Sequence, residues 1–369
     1  MKQFLPLLFL FIFLMILVLC NYYLSKRFGW FFSLERSKTL FTTFVFLSFY
    51  MIVGLLVFSN TTSPVTSVLY ILAAILMGIF LYLLLSVLLM DIARLFTNFT
   101  PRIYGVIAVS LTIVIFLFGL INARNLQITK QEIIIKGLSA DVKAMHLTDL
   151  HVGHFRGKKY LRRIVDKTNE QEVDVVFITG DLFDGRINLS QETLSPLLNL
   201  EAPVFFVEGN HDGYTGVKAI KNLLRGLEVN VLENEVLIWN EIQIVGLNHM
   251  IADNNSYNIH AALHGSTIEK TLENLPIDEN KPSILLHHSP DGIEYANKHE
   301  IDLYLAGHTH AGQLFPIKYI ANFIFKYNKG LFDYNGTKLY VSQGSGTFGP
   351  PMRVGTISEM ALIHLKPLQ

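Results

Sequence analysis

Apolar residues follow two different patterns along this chain, and the pattern changes near residue 125. The first third contains four apolar segments without a single ionisable side chain. Each reaches the roughly 17–25 residues that an α-helix needs to cross the hydrocarbon core of a bilayer. The segments are Phe4–Leu24, Thr39–Phe58, Val65–Met90 and Ile103–Ile121.

These four segments predict a transmembrane region over residues 1–124. Four buried core helices of a soluble protein would be expected to contain some ionisable residues. The first segment could be a secretory signal that begins after Lys2, but its apolar stretch is too long and no Ala-x-Ala-like cleavage site follows it. We therefore interpret it as a retained helix, the first of four.

Residues 125–369 show short β-type runs that alternate with amphipathic stretches, which predicts a separate α/β domain with helices covering its sheets. Helices are expected at Lys158–Asn169, Leu194–Leu200 and Val217–Leu227. Strands are expected at Leu126–Ile135, Val142–Leu147, Val173–Thr179, Val204–Val207, Val236–Trp239, Ile242–Val245, Ser283–Leu286, Leu303–Ala306, Leu331–Tyr334, Lys338–Ser342 and Met360–Leu365.

The distribution of charge predicts an orientation for the membrane region. Residues 1–124 contain eight Lys/Arg and two Asp/Glu, and the second connection, Ser59–Pro64, contains none of them. The positive-inside rule places the other two connections in the cytoplasm. We therefore expect a multi-pass cell-membrane protein with an extracytoplasmic α/β domain. The basic residues of those connections are Lys26, Arg27, Arg36, Lys38, Arg94 and Arg102.

Composition excludes several other classes. The single cysteine, Cys20, rules out disulfides within the chain. Residues 125–369 contain 22 basic and 28 acidic residues and no basic patch, so nucleic-acid binding is not expected. Transporters usually place ionisable groups inside the membrane, and the four predicted spans have none.

Five predicted strands lead into polar residues of one kind. Asp149 and His151 lie two apart after the second strand, and therefore on the same side of an extended chain. Ligands in open α/β sheets collect at the carboxyl ends of strands, and Asp, Asn and His suit borderline-hard divalent metals. The other four stretches are Gly180-Asp181-Leu182-Phe183-Asp184, Gly209-Asn210-His211-Asp212, His287-His288-Ser289-Pro290 and Gly307-His308-Thr309-His310.

In this order the five stretches resemble the motifs of the calcineurin-like metallophosphoesterase superfamily, D-x-H, G-D-x-x-D, G-N-H-D, H-x-P and G-H-T-H. The stretch Gly307–Gln313 is similar to the G-H-T-H-G-G-Q of bacterial membrane-associated members, with Ala311 in place of one glycine. The tail Tyr340–Thr347 also resembles that branch. The resemblance implies a two-sheet α/β sandwich with helices outside.

The resemblance also implies two divalent metal ions, manganese, iron or zinc, bridged by Asp181. A water between them would lose a proton and attack phosphorus as hydroxide. His288, rather than His287, is assigned as a ligand because it directly precedes Ser-Pro. The implied ligands are Asp149, His151 and His310 for the first ion, and Asn210, His288 and His308 for the second.

Five further residues are expected near the reaction. By the same resemblance, His211 acts at the leaving group and Asp212 positions it. Asp184 is expected to contact the metal ligands rather than the ions. His154 and His287 are candidates for substrate contact. We interpret the remaining histidines as structural: His146, His249, His260, His264, His299 and His364.

Two functions remain open at this point. The first is a membrane-anchored phosphoesterase that acts on phosphate mono- or diesters, with a lipid-linked substrate suggested by the anchor. The second is a sensor or scaffold that binds a phosphorylated ligand without cleaving it, although no implied ligand residue is missing. The aromatic and basic stretch Phe315–Lys329 either packs on its own domain or contacts membrane lipids.

Overall fold

A computed structural model describes residues 5–35, 37–185, 190–255 and 265–368, which form two compact units. His260, His264 and Arg36 lie outside these residues. The first unit is helical and the second is α/β. The first contains α1 (Leu5–Phe32), α2 (Ser37–Val57), α3 (Pro64–Ala93) and α4 (Pro101–Arg124).

All four helices of the first unit are long and apolar enough to be candidate membrane spans. They extend beyond the predicted apolar segments, because α1 continues through Lys26 and Arg27 and α3 continues through Asp91. The Asp91 carboxylate lies 2.6 Å from Arg27 Nε and 3.2 Å from Arg94 Nη1, and Tyr23 donates a hydrogen bond to it. Charged residues near these helix ends therefore pair within the unit.

The second unit contains two six-stranded mixed sheets, so the predicted two-sheet α/β fold is confirmed. In the first sheet β2, β3, β4 and β5 run parallel, and β12 joins β1 to β2. The first sheet, in spatial order, is β1 (Leu126–Ile135), β12 (Ser358–Pro367), β2 (Val142–Leu147), β3 (Val175–Thr179), β4 (Val204–Val207) and β5 (Asn230–Val231).

The second sheet has a parallel centre and antiparallel edges. Strands β11, β9, β8 and β7 are parallel, and β10 and β6 close the two edges as hairpins. In spatial order it is β10 (Gly330–Tyr334), β11 (Thr337–Val341), β9 (Leu303–Ala306), β8 (Ser283–Leu286), β7 (Ile242–Gly246) and β6 (Glu235–Trp239).

Short helices connect the strands of this unit. The helix predicted at Leu194–Leu200 is wrong in type, because an α-turn ends at Leu194 and a 3₁₀ segment follows over Ser195–Asn199. Pro196 has no N–H to continue the α-helical ladder. The helices are α5 (Lys158–Asn169), α6 (Gln191–Leu194), α7 (Asn210–Thr215), α8 (Val217–Arg225), α9 (Ile268–Asn274), α10 (Ile293–Lys298) and α11 (Ile317–Ile324).

The core of the α/β unit has three apolar layers. Phe177 and Phe205 point into the middle layer, where they meet Ile284 and Leu305 of the second sheet. On the other face of β3, Val176 and Ile178 pack in the layer that contains residues of α5 and α8. An uninterrupted apolar run is therefore buried on both faces, as expected for an inner parallel strand. A third layer lies between the second sheet, α9 and α10.

Candidate metal centre

The five polar stretches follow the carboxyl ends of strands from both sheets. The first sheet supplies the stretches after β2, β3 and β4, and the second sheet supplies those after β8 and β9. Parallel strands present their ends at one edge of a sheet, which is where α/β proteins bind ligands. The residues brought to this edge are Asp149, His151, Asp181, Asp184, Asn210, His211, His288, His308 and His310.

A first group of donor atoms forms around Asp149. His310 Nε2 lies 3.2 Å from Asp149 Oδ1 and 3.0 Å from His151 Nε2. One donor atom from each of the three residues lies within 4.8 Å of the others. Two imidazole nitrogens and a carboxylate converging in this volume fit a divalent cation.

A second group forms around Asp181. His288 Nε2 lies 3.1 Å from Asp181 Oδ2 and 3.2 Å from His308 Nδ1. The same Asp181 oxygen is 3.9 Å from His151 Nε2 of the first group. One carboxylate oxygen therefore faces both groups, which is the arrangement needed for a shared ligand.

A buried oxygen atom without a hydrogen-bond partner supports metal binding. Asn210 Oδ1 is buried and accepts no hydrogen bond. Leaving such an acceptor without a partner costs about 1–3 kcal/mol. A cation would satisfy this oxygen, so the residues present fit a metal centre.

His211 pairs with Asp184 and not directly with Asp212, the residue predicted to position it. His211 Nδ1 lies 3.3 Å from Asp184 Oδ1. Asp212 instead accepts hydrogen bonds from the backbone N–H groups of Gly209 and Phe183. The reason is local: Asp212 lies in the first turn of α7 and satisfies an N–H group at the start of that helix.

Electrostatics divides the histidines into two kinds. Burial lowers the pKa of His211, but the charges of Asp181 and Asp184 outweigh burial and raise it to about 9. His288 behaves in the same way, because Asp181 overcomes burial and raises its pKa to about 9. Burial, with the nearby His211 and His310, lowers the pKa of His151 to about 3.

The aspartates also differ from one another. Burial raises the pKa of Asp149 and of Asp181, but the surrounding histidines outweigh it and hold both pKa values below the ordinary range. Burial and the charge of Asp181 raise the pKa of Asp212 to about 7. Asp149 and Asp181 are therefore the two carboxylates kept ionised, as metal ligands must be.

The ligand loops have an unusual backbone. Asp149, His151, Asp181, His308 and His310 all have φ between 49° and 72°, a region that costs a non-glycine residue about 1–3 kcal/mol. Strained conformations of this kind cluster at functional sites. The five candidate ligands therefore keep conformations that the surrounding structure must hold in place.

Glycine is required where the loops approach one another most closely. A Cβ atom on Gly307 would lie 2.2 Å from Thr148 Oγ1 and 2.3 Å from Asp149 Oδ2. Any larger residue at 307 would displace Asp149, so the glycine before His308 is part of the site's construction.

A buried arginine, missed by sequence reasoning, supports the first group from behind. Arg353 is fully buried, and its Nη2 lies 3.3 Å from His310 Nδ1. The same nitrogen donates to the carbonyls of Gln343, Gly344 and Gly346. Gly346 in turn donates its N–H to the Asp149 carbonyl. In the sequence, Arg353 is a single arginine between apolar residues, and only the fold brings it next to His310.

The remaining histidines differ in burial and in their partners. His287 Nδ1 lies 2.8 Å from the Ser289 carbonyl and 2.9 Å from Tyr304 Oη, so this buried ring is structural and the suggested substrate contact is wrong. His249 is also buried, and its ring lies 5.8 Å from that of His288. His154 is half-buried, and its substrate contact stays a prediction.

Replacing Arg353 with methionine is expected to weaken metal binding by about 10–100-fold, since residues that support metal ligands typically contribute this much. Calorimetric titration of the full chain in detergent with Mn²⁺ would measure it. Arg162→Met, at an exposed position of α5, is the matched control. Equal affinity in both variants would contradict the supporting role of Arg353.

Comparison with known proteins agrees with this site. Residues 142–312 match the family model for calcineurin-like phosphoesterase, and these residues include every candidate metal ligand. The chain is 36% identical over 245 residues to an uncharacterized metallophosphoesterase of Helicobacter pylori strain J99, an alignment that covers 65% of this chain and 64% of that protein.

A second relative, from Danio rerio, is described as a transmembrane protein with metallophosphoesterase domain. It is 32% identical over 280 residues, which cover 71% of this chain and 62% of the relative. The chain thus spans less than two thirds of the length of both relatives. The motifs, the two-sheet fold and the family match lead to one conclusion: residues 142–312 of this chain are similar to the calcineurin-like phosphoesterase domain.

Proposed function

We propose that this protein is a two-metal phosphoesterase that hydrolyses phosphate mono- or diesters. The observation that carries the proposal is the position of Asp181 Oδ2, which lies 3.1 Å from His288 Nε2 of one donor group and 3.9 Å from His151 Nε2 of the other. A shared carboxylate holds the ions of two-metal sites about 3.5–4 Å apart.

Seven residues would hold the two ions. Asp149, His151 and His310 serve the first, and Asn210, His288 and His308 serve the second, with Asp181 between them. The oxygen and imidazole donors suit manganese, iron or zinc. When bound, such ions supply Lewis acidity that makes a water nucleophilic near neutral pH and that neutralises negative charge on phosphate.

His211 acts as the proton donor to the leaving group in this proposal. The negative charge of the adjacent Asp184 favours the protonated form of the imidazole. Asp184 holds the Nδ1 side of the ring, which leaves Nε2 for the leaving oxygen. Asp212 maintains the turn that carries His211, because it binds the backbone of Gly209.

Aromatic side chains next to His211 favour an apolar leaving group. The Phe348 ring lies 5.2 Å from the His211 ring, and the Tyr214 ring lies 5.6 Å from it. About half of each aromatic side chain is exposed. Exposed aromatics beside a catalytic group suit an apolar substituent on the ester, and this supports a lipid-linked substrate.

The four candidate spans anchor the enzyme in the cell membrane as a multi-pass protein. We divide the chain into the membrane region 1–124 and the phosphoesterase domain 125–369. The charge of the connections favours an extracytoplasmic position for the domain.

Asp181→Ala is expected to abolish Mn²⁺ binding and to reduce turnover of bis(4-nitrophenyl) phosphate at least about 1,000-fold, because both ions lose a ligand. Calorimetry and a spectrophotometric assay on detergent-solubilised protein would measure the two effects. Asp166→Ala on the exposed face of α5 is the control. An unmodified chain that is loaded with divalent metal and cleaves no phosphate ester would contradict the proposal.

His211→Ala is expected to leave Mn²⁺ affinity within about twofold and to lower kcat about 100-fold or more, since general acid catalysis typically contributes that much. The loss should shrink for esters whose leaving group needs no protonation. His299→Ala, at the end of α10, provides the comparison. Equal losses for substrates with good and poor leaving groups would remove His211 from the proton-transfer role.

Orientation can be tested with reporters fused after Gln369. A phosphatase that folds only outside the cytoplasm is expected to be active there, because the basic connections hold the opposite side of the spans in the cytoplasm. A green fluorescent protein fused at the same residue serves as the cytoplasmic reporter. An inactive phosphatase fusion together with a fluorescent green fluorescent protein fusion would show that the domain has the opposite orientation.

A further inference from the structure

An exposed apolar surface lies directly after the last metal-binding loop. Between residues 125 and 368, the described part of the chain has thirteen large hydrophobic side chains that are exposed, and six of them fall within residues 315–324. This concentration is far from the scattered exposure that any soluble surface has. The six, which we call the α11 face, are Phe315, Ile317, Tyr319, Ile320, Phe323 and Ile324.

Helix α11 has its apolar residues outside. Phe323 is 92% exposed, whereas Ala321 is the one residue of the helix that is buried. A surface helix of a soluble domain normally turns its apolar stripe toward the core. The α11 face therefore has the composition of a buried surface but is exposed in the described part of the chain.

This face is fixed to the metal-binding loop. Gly312 packs against α11 so closely that a Cβ atom there would lie 2.5 Å from Lys318 Cα. Beyond the helix, the Phe325 ring lies 5.8 Å from the His308 ring, and Thr309 Oγ1 donates to the Asn328 carbonyl. Anything that binds the α11 face therefore binds beside His308 and His310.

The charged residues within this segment all have one sign. Residues 315–329 contain three lysines and no acidic residue. Lys318 Nζ lies 5.1 Å from the centre of the Tyr319 ring, and Lys326 Nζ lies 5.1 Å from that of Tyr327. Apolar and aromatic side chains edged by lysines match the boundary between acyl chains and anionic headgroups.

We propose that the α11 face inserts into the headgroup region of an anionic phospholipid bilayer, the same bilayer that the candidate spans cross. Chain continuity supports this partner, because α4 ends at Arg124 and β1 begins at Leu126. A domain joined to a membrane helix by one residue meets lipid at a high effective concentration.

Docking of the α11 face also narrows the substrate class, and this part rests on the proposed phosphoesterase activity. The loop that carries His308 and His310 would lie at the headgroup level. Phosphate esters that reside there, with an apolar group anchored in the bilayer, reach the metal centre without leaving the membrane.

Site-directed fluorescence on the full chain tests the docking. In a Cys20→Ser background, a cysteine replaces Phe323 and carries an environment-sensitive fluorophore. Ile238→Cys is the matched control, because Ile238 is 54% exposed on β6, the edge strand opposite β10. Both proteins are reconstituted in vesicles of equal parts phosphatidylcholine and phosphatidylglycerol, with spin-labelled acyl chains as the lipid quencher and iodide as the aqueous quencher.

We expect the label at 323 to be quenched by the spin-labelled lipid and to be about tenfold less sensitive to iodide than the label at 238. Replacing Lys318, Lys326 and Lys329 with glutamine should reduce the lipid quenching. Equal iodide quenching at 323 and 238 would overturn the proposal. Shielding from iodide without lipid quenching, accompanied by energy transfer between labelled copies, would overturn it in favour of a contact between two chains.

Turnover of bis(4-nitrophenyl) phosphate is measured in the same vesicles, so the two proposals fail separately. Lipid quenching at 323 without turnover would retain the docking and reject the phosphoesterase activity. Turnover without lipid quenching at 323 would retain the phosphoesterase activity and reject the docking.

Discussion

The structure of the α/β unit depends on two buried carboxylates that remain ionised, Asp149 and Asp181. Burial of an unpaired carboxylate is strongly unfavourable, and each of the two has an imidazole nitrogen at 3.1–3.2 Å. Those contacts require loops that turn back at the strand ends, with left-handed backbone at five ligand positions. Strands, loops and supporting residues are thus arranged around negative charge that a cation would neutralise.

Much of this could be predicted from sequence, since the decisive signals are local. Helix α5 and strand β2 have the bounds that were predicted. The amphipathic pattern of α5 and the apolar run of β2, bounded by polar residues, each favour one type of secondary structure. The five polar stretches were informative for the same reason. Each is contiguous, and each follows a strand whose end is fixed by its own composition.

The features that sequence did not predict depend on contacts between distant segments. Arg353 reaches His310 across 43 residues, and His211 in α7 pairs with Asp184 in the loop that follows β3. The short helices α9, α10 and α11 are too brief to be stable alone and form because of tertiary packing. In the helical unit, α1 and α3 continue past their uncharged segments into Arg27 and Asp91, which pair with each other.

The division of ligands between the two sheets has a mechanical consequence. The first sheet contributes Asp149, His151, Asp181 and Asn210, whereas the second contributes His288, His308 and His310. A bound cation would therefore be a cross-link between the halves of the sandwich, and its binding energy would add to the cohesion of the fold. By the same linkage, a small displacement of one sheet relative to the other would change the distances between the ligands and the cation. The packing of Phe177 between the two sheets therefore helps to define the metal geometry.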